Sequence, residues 1–109
     1  MLSKKFIIRD KKIFNTLRLK GKKVRKGGFI IEFQSQEKNH NCFGIVLSKR
    51  VVKKAALRNK IKRKIRSILF EHRLRPNKKL GFVDMVIVVL KDPAGDYQEL
   101  VNFLNNFFV

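Results

Sequence analysis

The sequence predicts a single α+β domain, a sandwich with the order α-β-β-(β)-α-β-α whose helices pack on a small mixed sheet. Three observations predict it. Apolar side chains alternate over Phe29–Gln34 and Cys42–Ser48, they run unbroken over Met85–Leu90, and elsewhere they recur at spacings of three and four. No internal repeat and no linker rich in Pro, Gly or Ser divides residues 1–109, a length that suits one domain with a modest core.

Each element carries its own signal. Asp10 caps a first helix with Ile13, Phe14 and Leu17 on one side, and Gly21 is expected to end it through a left-handed backbone. Lys20–Lys26 then reads as a basic loop. Gly27 and Gly28 open a strand in which Phe29, Ile31 and Phe33 share a face, and the polar turn Ser35–Asn41 leads to a second strand with Phe43, Ile45 and Leu47 alternating likewise. In the helix from about Lys54 to His72, Leu57, Ile61, Ile65 and Ile68 fall within about 80° of one another, with Asn59, Lys62, Arg63 and Arg66 opposite and Arg58 at one edge. Pro76, Asn77 and Gly81 form a return loop into Met85–Leu90, a strand buried on both faces and therefore central. Asp96 and Glu99 form an Asp-x-x-Glu cap for a last helix bearing Tyr97, Leu100, Val101, Leu104, Phe107 and Phe108, all core material.

Charge gives the first functional clue. Lys and Arg number 27 against 8 Asp and Glu, a formal net charge of +19. Residues 1–79 hold 26 of the basic side chains and 4 acids, while 80–109 hold Lys91 alone against Asp84, Asp92, Asp96 and Glu99. Between Glu37 and Glu71 there are eleven basic residues and no acid, a repulsion that an external polyanion would relieve. Leu57, Ile61, Ile65, Ile68 and Leu69 recur through this run at helical spacing, so the charges sit on a folded element and not on a disordered tail. Phosphates are met by Lys as point charges and by Arg as bidentate forks, and nucleic acid fits that supply. Phe14, on an amphipathic helix beside the basic segments, either stacks on an unpaired base or packs in the core.

Other classes fall away. Cys42 is the only cysteine, which excludes an internal disulfide and a multi-thiolate zinc site; at the head of an apolar strand it is expected to be a buried structural thiol. No apolar run approaches the ~20 residues of a spanning helix, and residues 1–6 lack the apolar stretch of a secretory signal, so a cytoplasmic protein with no membrane partner is expected. The acids show no paired metal-ligand spacing. His40 in a polar turn and His72 near a helix end are expected at the surface or in a helix-dipole role, and no nucleophile-and-base set emerges.

The segment Ser48–Leu69, SKRVVKKAALRNKIKRKIRSIL, resembles the family of protein subunits of bacterial ribonuclease P. The family's Arg-Asn-Arg signature is followed by Ile-Lys-Arg and a further Arg three residues on. The match runs through Lys49, Arg50, Lys53, Lys54, Ala55, Arg58, Asn59, Ile61, Lys62, Arg63 and Arg66. Fainter agreement covers nearly the whole chain: Phe14 before Gly21, the Phe-Gly-Ile step at Phe43–Ile45, and Asp84 before an aliphatic strand. There are departures. Lys60 stands for the second Arg of the signature and keeps the charge while losing the fork. Arg18 stands where many members have a second aromatic, Glu32 where some have Tyr, and Leu90 where a basic residue is common.

The resemblance implies a left-handed β-α-β crossover, against the general right-handed rule. It also implies a protein component that assists a catalytic RNA in removing the 5′ leader from precursor tRNA by endonucleolytic hydrolysis. The chemistry is then expected in the RNA, with Mg2+ held mainly by the RNA subunit and the substrate, and no catalytic residue or metal ligand is assigned to the protein. Contacts to the catalytic RNA fall to Lys49, Arg50, Lys53, Lys54, Arg58, Asn59, Lys60, Lys62, Arg63 and Arg66. Contacts to the single-stranded leader of precursor tRNA fall to Phe14, Arg18 and Glu32, in a cleft between the first helix and the sheet. A monomeric protein, one copy per RNA, is expected. The alternative is a ribosomal or other structural RNA-binding protein without a role in tRNA processing. A self-sufficient nuclease would need a carboxylate cluster that the sequence lacks, and a membrane-active helix would need the apolar stripe that the sheet already uses.

Overall fold

The computed structural model describes residues 2–109; Met1 lies outside them. After a short 3-10 turn at Lys4–Phe6, the elements are α1 (Lys11–Lys20), β1 (Lys22–Lys26), β2 (Phe29–Ser35), β3 (Cys42–Val46), α2 (Ala55–Phe70), β4 (Val83–Val89) and α3 (Tyr97–Phe107). The strands form one mixed sheet in the order β1-β2-β4-β3. Pairing is antiparallel between β1 and β2 and between β2 and β4, and parallel between β4 and β3.

The third strand of the first half is β1, which precedes the two strands read from the sequence; the optional strand bracketed after them does not form, since β3 leads directly to α2. Lys22–Lys26 is an edge strand and not a loop, with only Val24 turned partly inward. An edge strand needs one ladder of hydrogen bonds and little apolar alternation, and its four cations discourage a second chain from pairing there. Gly27 and Gly28 connect it to β2 as a two-residue hairpin, with Gly27 at φ +57°.

Two helix ends differ from expectation. Gly21 closes α1 in extended backbone (φ −64°, ψ 155°), its N–H donating to the Leu17 carbonyl at 2.8 Å. Glycine is needed for space: a Cβ there would lie 2.6 Å from both Leu17 Cδ1 and Leu17 O. At α3, Asp96 makes no side-chain cap hydrogen bond. Its carboxylate instead lies 3.7 Å from Lys91 Nζ and close against the backbone of Gly28. Asp10 caps α1 as expected, accepting from Lys12 N at 2.8 Å.

The sheet has a core on each side. Phe29, Ile31, Phe33, Phe43, Met85, Ile87 and Val89 pack with Ile61, Ile65 and Leu69 of α2 and with Leu100 and Leu104 of α3. Phe108 leaves the helix in extended backbone and stays in this core. The opposite face carries α1, whose Leu17 packs on Val86 and Val88 with Phe14, Ile30 and Val46 around them. Strand β4 is buried throughout, as its unbroken apolar run predicts.

The β3-α2-β4 crossover is left-handed. With α2 toward the viewer and β3 running upward, an L-residue whose side chain points forward directs its N–H and C=O to the right. Phe43 points into the α2 core, and its carbonyl accepts from Ile8 N at 2.9 Å. The Ile7–Ile8 segment therefore lies to the right of β3 and β4 to its left, the reverse of the general rule.

Candidate nucleic-acid interface

Helix α2 begins without compensation. Its N-cap is Lys54, which makes no side-chain cap bond, and no acid occupies the first turn, so the positive end of the helix dipole adds to the lysines around it. The approach segment is held from beneath: Val52 is buried, Val51 N and Val52 N donate to the Ser48 carbonyl, and Arg58 Nη1 donates to the carbonyls of Val52 (3.0 Å) and Lys53 (2.8 Å). Lys49, Arg50, Lys53 and Lys54 stand exposed on this pinned loop. The first arginine of the signature thus spends one nitrogen on positioning its neighbours.

The charged face of α2 divides in two. Ile61, Ile65 and Leu69 face the core. Lys62 and Arg66 lie half-buried on one flank, where they line a cavity of about 180 Å3 with Phe14, Gly44 and Ile45. Asn59 and Arg63 point outward, and Lys60 and Lys64 occupy the other flank, toward the segment that enters α3. The helical periodicity alone grouped Lys62, Arg63 and Arg66 as one outward face; β3 and the Ile7–Ile8 segment turn two of the three into walls of a cleft.

Phe14 reaches that cleft from the other side of the sheet. Its ring covers Gly44 of β3, and a Cβ at Gly44 would lie 3.3 Å from Phe14 Cε2. The ring is half-buried, and it both packs and lines the cavity, so neither of its two readings excludes the other. One helical turn further along α1, Arg18 Nε lies 2.7 Å from Glu32 Oε1, while Lys23 Nζ donates to Glu32 Oε2 at 2.8 Å. The Arg18 contact is one of charge and distance, without an N–H aligned on the oxygen. Glu32 is only 3% exposed and already holds two cations, so it sets the positions of Arg18 and Lys23 without offering a surface of its own. Sequence reasoning missed Lys23, which sits opposite Glu32 in the β1–β2 register; a strand assignment for Lys22–Lys26 would have found it.

The remaining titratable groups are structural. His40 and His72 are both buried, against the surface placement expected for them: His40 meets the Phe6 ring edge-on at 5.1 Å, and His72 stacks on Phe108 at 5.2 Å. Burial first, then the neighbouring Arg75 charge, lowers the His72 pKa below its ordinary value. Cys42 is buried and its thiol is pushed up by desolvation. Asp84, within β4, is likewise raised by burial. Among the described residues, no three His, Cys, Asp or Glu side chains converge as a metal site, and no helix is long and apolar enough to cross a membrane.

A left-handed α+β sandwich with an uncompensated basic helix and a cleft at the edge of its sheet defines a class of small polyanion-binding domain. The Ribonuclease P family model matches residues 2–109, and the chain belongs to that family. It is 34% identical over 97 residues to the ribonuclease P protein component of Synechocystis sp., covering 87% of this chain and 76% of the relative. It is 33% identical over 99 residues to the corresponding component of Streptococcus gordonii, covering 90% and 79%. The solved RNase P protein of Staphylococcus aureus superposes with a TM-score of 0.73 at 25% identity, over 99% of this chain and 95% of that one.

Proposed function

We propose that this chain is the protein component of a ribonuclease P ribonucleoprotein, in which it assists a catalytic RNA in removing the 5′ leader of precursor tRNA. Family membership over residues 2–109 supports the assignment. The observation that carries the finer reading is the meeting of Phe14 with Lys62 and Arg66 on one cavity at the β3 edge. An RNA held along Lys49, Arg50, Lys53, Lys54, Asn59, Lys60 and Arg63 adjoins a cleft where an unpaired strand finds an aromatic ring and two cations together. Arg58 contributes through the loop it fastens, and Arg18 with Lys23 continues the positive surface along α1, oriented by Glu32.

The protein binds and positions; the RNA subunit carries the hydrolysis. Magnesium, when bound, activates water and stabilises charge at the scissile phosphate. Among the described residues no three His, Cys, Asp or Glu side chains converge as a metal site, and Glu32 is committed to Arg18 and Lys23. On this reading the RNA and the substrate hold the ion. The particle contains one copy of the protein per RNA and works in the cytoplasm.

The test is cleavage of 5′-labelled precursor tRNA at low magnesium by the protein alone, by a bacterial ribonuclease P RNA alone, and by both. Correct leader removal should require the RNA and be stimulated by the protein, with precursor outcompeting mature tRNA. A protein that binds both tRNAs equally and stimulates nothing would be a structural RNA-binding protein instead.

A further inference from the structure

Between α2 and the segment entering α3 lies a cavity of about 620 Å3, which shares Lys60, Ile61 and Arg63 with the signature but is walled by Leu57, Ala94 and Tyr97, to which no role has been given. Leu57, Ile61, Ala94 and Tyr97 make its apolar walls. Lys60, Arg63 and Lys64 form a cationic rim, with Asp92 as the only acid beside them. An apolar slot edged by cations selects a ligand with a flat, weakly polar body and an attached anion.

The geometry at Tyr97 narrows the class. Its ring meets Phe29 at 6.2 Å, and Lys64 Nζ stands over it 5.7 Å from the centroid, a long exposed side chain that a stacking base would displace toward its own phosphate. Burial and the Asp92 charge raise the phenol pKa, so the hydroxyl remains a neutral hydrogen-bond donor beside an anion. Asp92 Oδ1 accepts from Ala94 N at 3.2 Å and so shapes the turn. Its charge repels phosphate from that side and directs it toward Lys60 and Arg63.

We propose that this cavity seats one unpaired nucleotide of the RNA subunit, its base against Tyr97 and Leu57 and its flanking phosphates on Lys60 and Arg63. The proposal rests on the reading that α2 docks on that RNA. Continuity with the exposed cations at the start of α2 favours a base within a polyanion over a free mononucleotide, because the same rim residues belong to both surfaces. The base enters as an anchor that fixes how far along the helix the RNA sits, which charge alone does not fix.

The chain supplies its own probe, since Tyr97 is its only tyrosine. Full-length protein carrying 3-fluorotyrosine gives a single 19F line, to be followed on addition of a bacterial ribonuclease P RNA or of AMP or UMP. RNA affinity is measured by filter binding for the parent protein and for Tyr97→Leu, Tyr97→Phe and Ala94→Leu. The RNA should move the 19F line; Tyr97→Leu should weaken binding about tenfold while Tyr97→Phe stays within about twofold, as expected for loss and retention of one stacking face. Ala94→Leu, at an exposed position, fills the slot without removing a packed side chain and should weaken binding similarly, which keeps the test valid if Tyr97→Leu misfolds. Tight RNA binding with an unmoved 19F line and no loss in the two leucine variants would overturn the seat and leave the ribonucleoprotein reading intact. A line moved by mononucleotide and not by RNA would overturn it in favour of a free nucleotide. Failure of every variant and the parent to bind the RNA would overturn the ribonucleoprotein reading itself.

Discussion

Helices α2 and α3 pack on the same face of the same sheet and have opposite outer surfaces. Between Ala55 and Phe70, α2 carries six cations and no acid; between Tyr97 and Phe107, α3 carries Glu99 and no cation. Both bury an aliphatic stripe in one core, so the difference is not demanded by folding. It separates two tasks: α3 closes the core with Leu100 and Leu104 and spreads Tyr97, Phe103 and Phe107 around them, while α2 closes it with Ile61, Ile65 and Leu69 and leaves its charged residues to a partner. The repulsion that accumulates on α2 is tolerated because the apolar stripe and the capping core hold the helix without help from ion pairs.

If that division is right, damage to the two helices should read out in different experiments. Leu104→Ala, at a fully buried position of α3, is expected to cost about 2–5 kcal/mol in urea unfolding. At a temperature where the variant is still folded, its RNA affinity should match the parent's. A large loss of affinity in the folded variant would mean that α3 shapes the RNA surface directly.

Arg63→Ala makes the converse change on α2. Arg63 is exposed, so stability should move by no more than about 0.5 kcal/mol. RNA affinity should fall several-fold at low salt. The parent protein, neutralising about six to eight phosphates, should show a log–log salt slope near −5 to −7, and the variant's slope should be smaller by about one. An unchanged slope would remove Arg63 from the phosphate-facing set.

Much of this contrast is legible in the sequence. The 3.6-residue period separates Ile61 and Ile65 from Asn59 and Arg63 without knowledge of any neighbour, and the unbroken run ending at Leu90 marks β4 as central. What the sequence did not show depends on elements far apart in the chain. The strand Lys22–Lys26 is recognisable only through its register with β2, because an edge strand facing solvent has no need of alternation. The division of the α2 cations between two cavities follows from β3 on one flank and the Asp92–Tyr97 segment on the other. His40 and His72 are polar residues in polar stretches, buried because Phe6 and Phe108, remote in sequence, close over them. The crossover hand entered through family resemblance, since periodicity is blind to handedness. The Glu32 cluster is of the same kind, set by cross-strand register.

That cluster permits a smaller perturbation, at α1 on the opposite face of the sheet. Glu32→Gln leaves Arg18 and Lys23 facing each other without a carboxylate between them. Both cations are more than a third exposed, so solvent relieves most of the repulsion, and the cost should be about 1 kcal/mol in urea unfolding. The fold near Phe14 should persist while Arg18 loses its orientation, and precursor tRNA should be affected more than the isolated RNA subunit. Equal loss for both ligands would place the cluster's role in general stability.

The smallest effect is expected at the seam between the two helices. His72, just past the end of α2, stacks on Phe108, just past the end of α3, and Asn41 Nδ2 donates to the His72 carbonyl at 2.6 Å. His72 is 3% exposed, and its Nδ1 has no partner, so the folded protein favours the neutral imidazole. The folded-state pKa lies below the unfolded value near 6.5, so the unfolded chain binds the extra proton first. Stability is therefore complete above about pH 6.5 and falls as the pH drops below it, levelling off once the folded state is protonated too. His72→Phe keeps the stack and removes the titration. Its unfolding free energy should lose the decline that the parent shows just below pH 6.5. Asp84, shifted upward by burial, acts in the opposite sense from the carboxylate range upward, binding its proton more tightly in the folded state as the pH falls. The difference between parent and His72→Phe cancels that contribution and isolates the imidazole. A decline of equal size in both proteins would mean that the seam between α2 and α3 is not where the histidine proton is felt, and the two helices would then be joined by apolar contact alone.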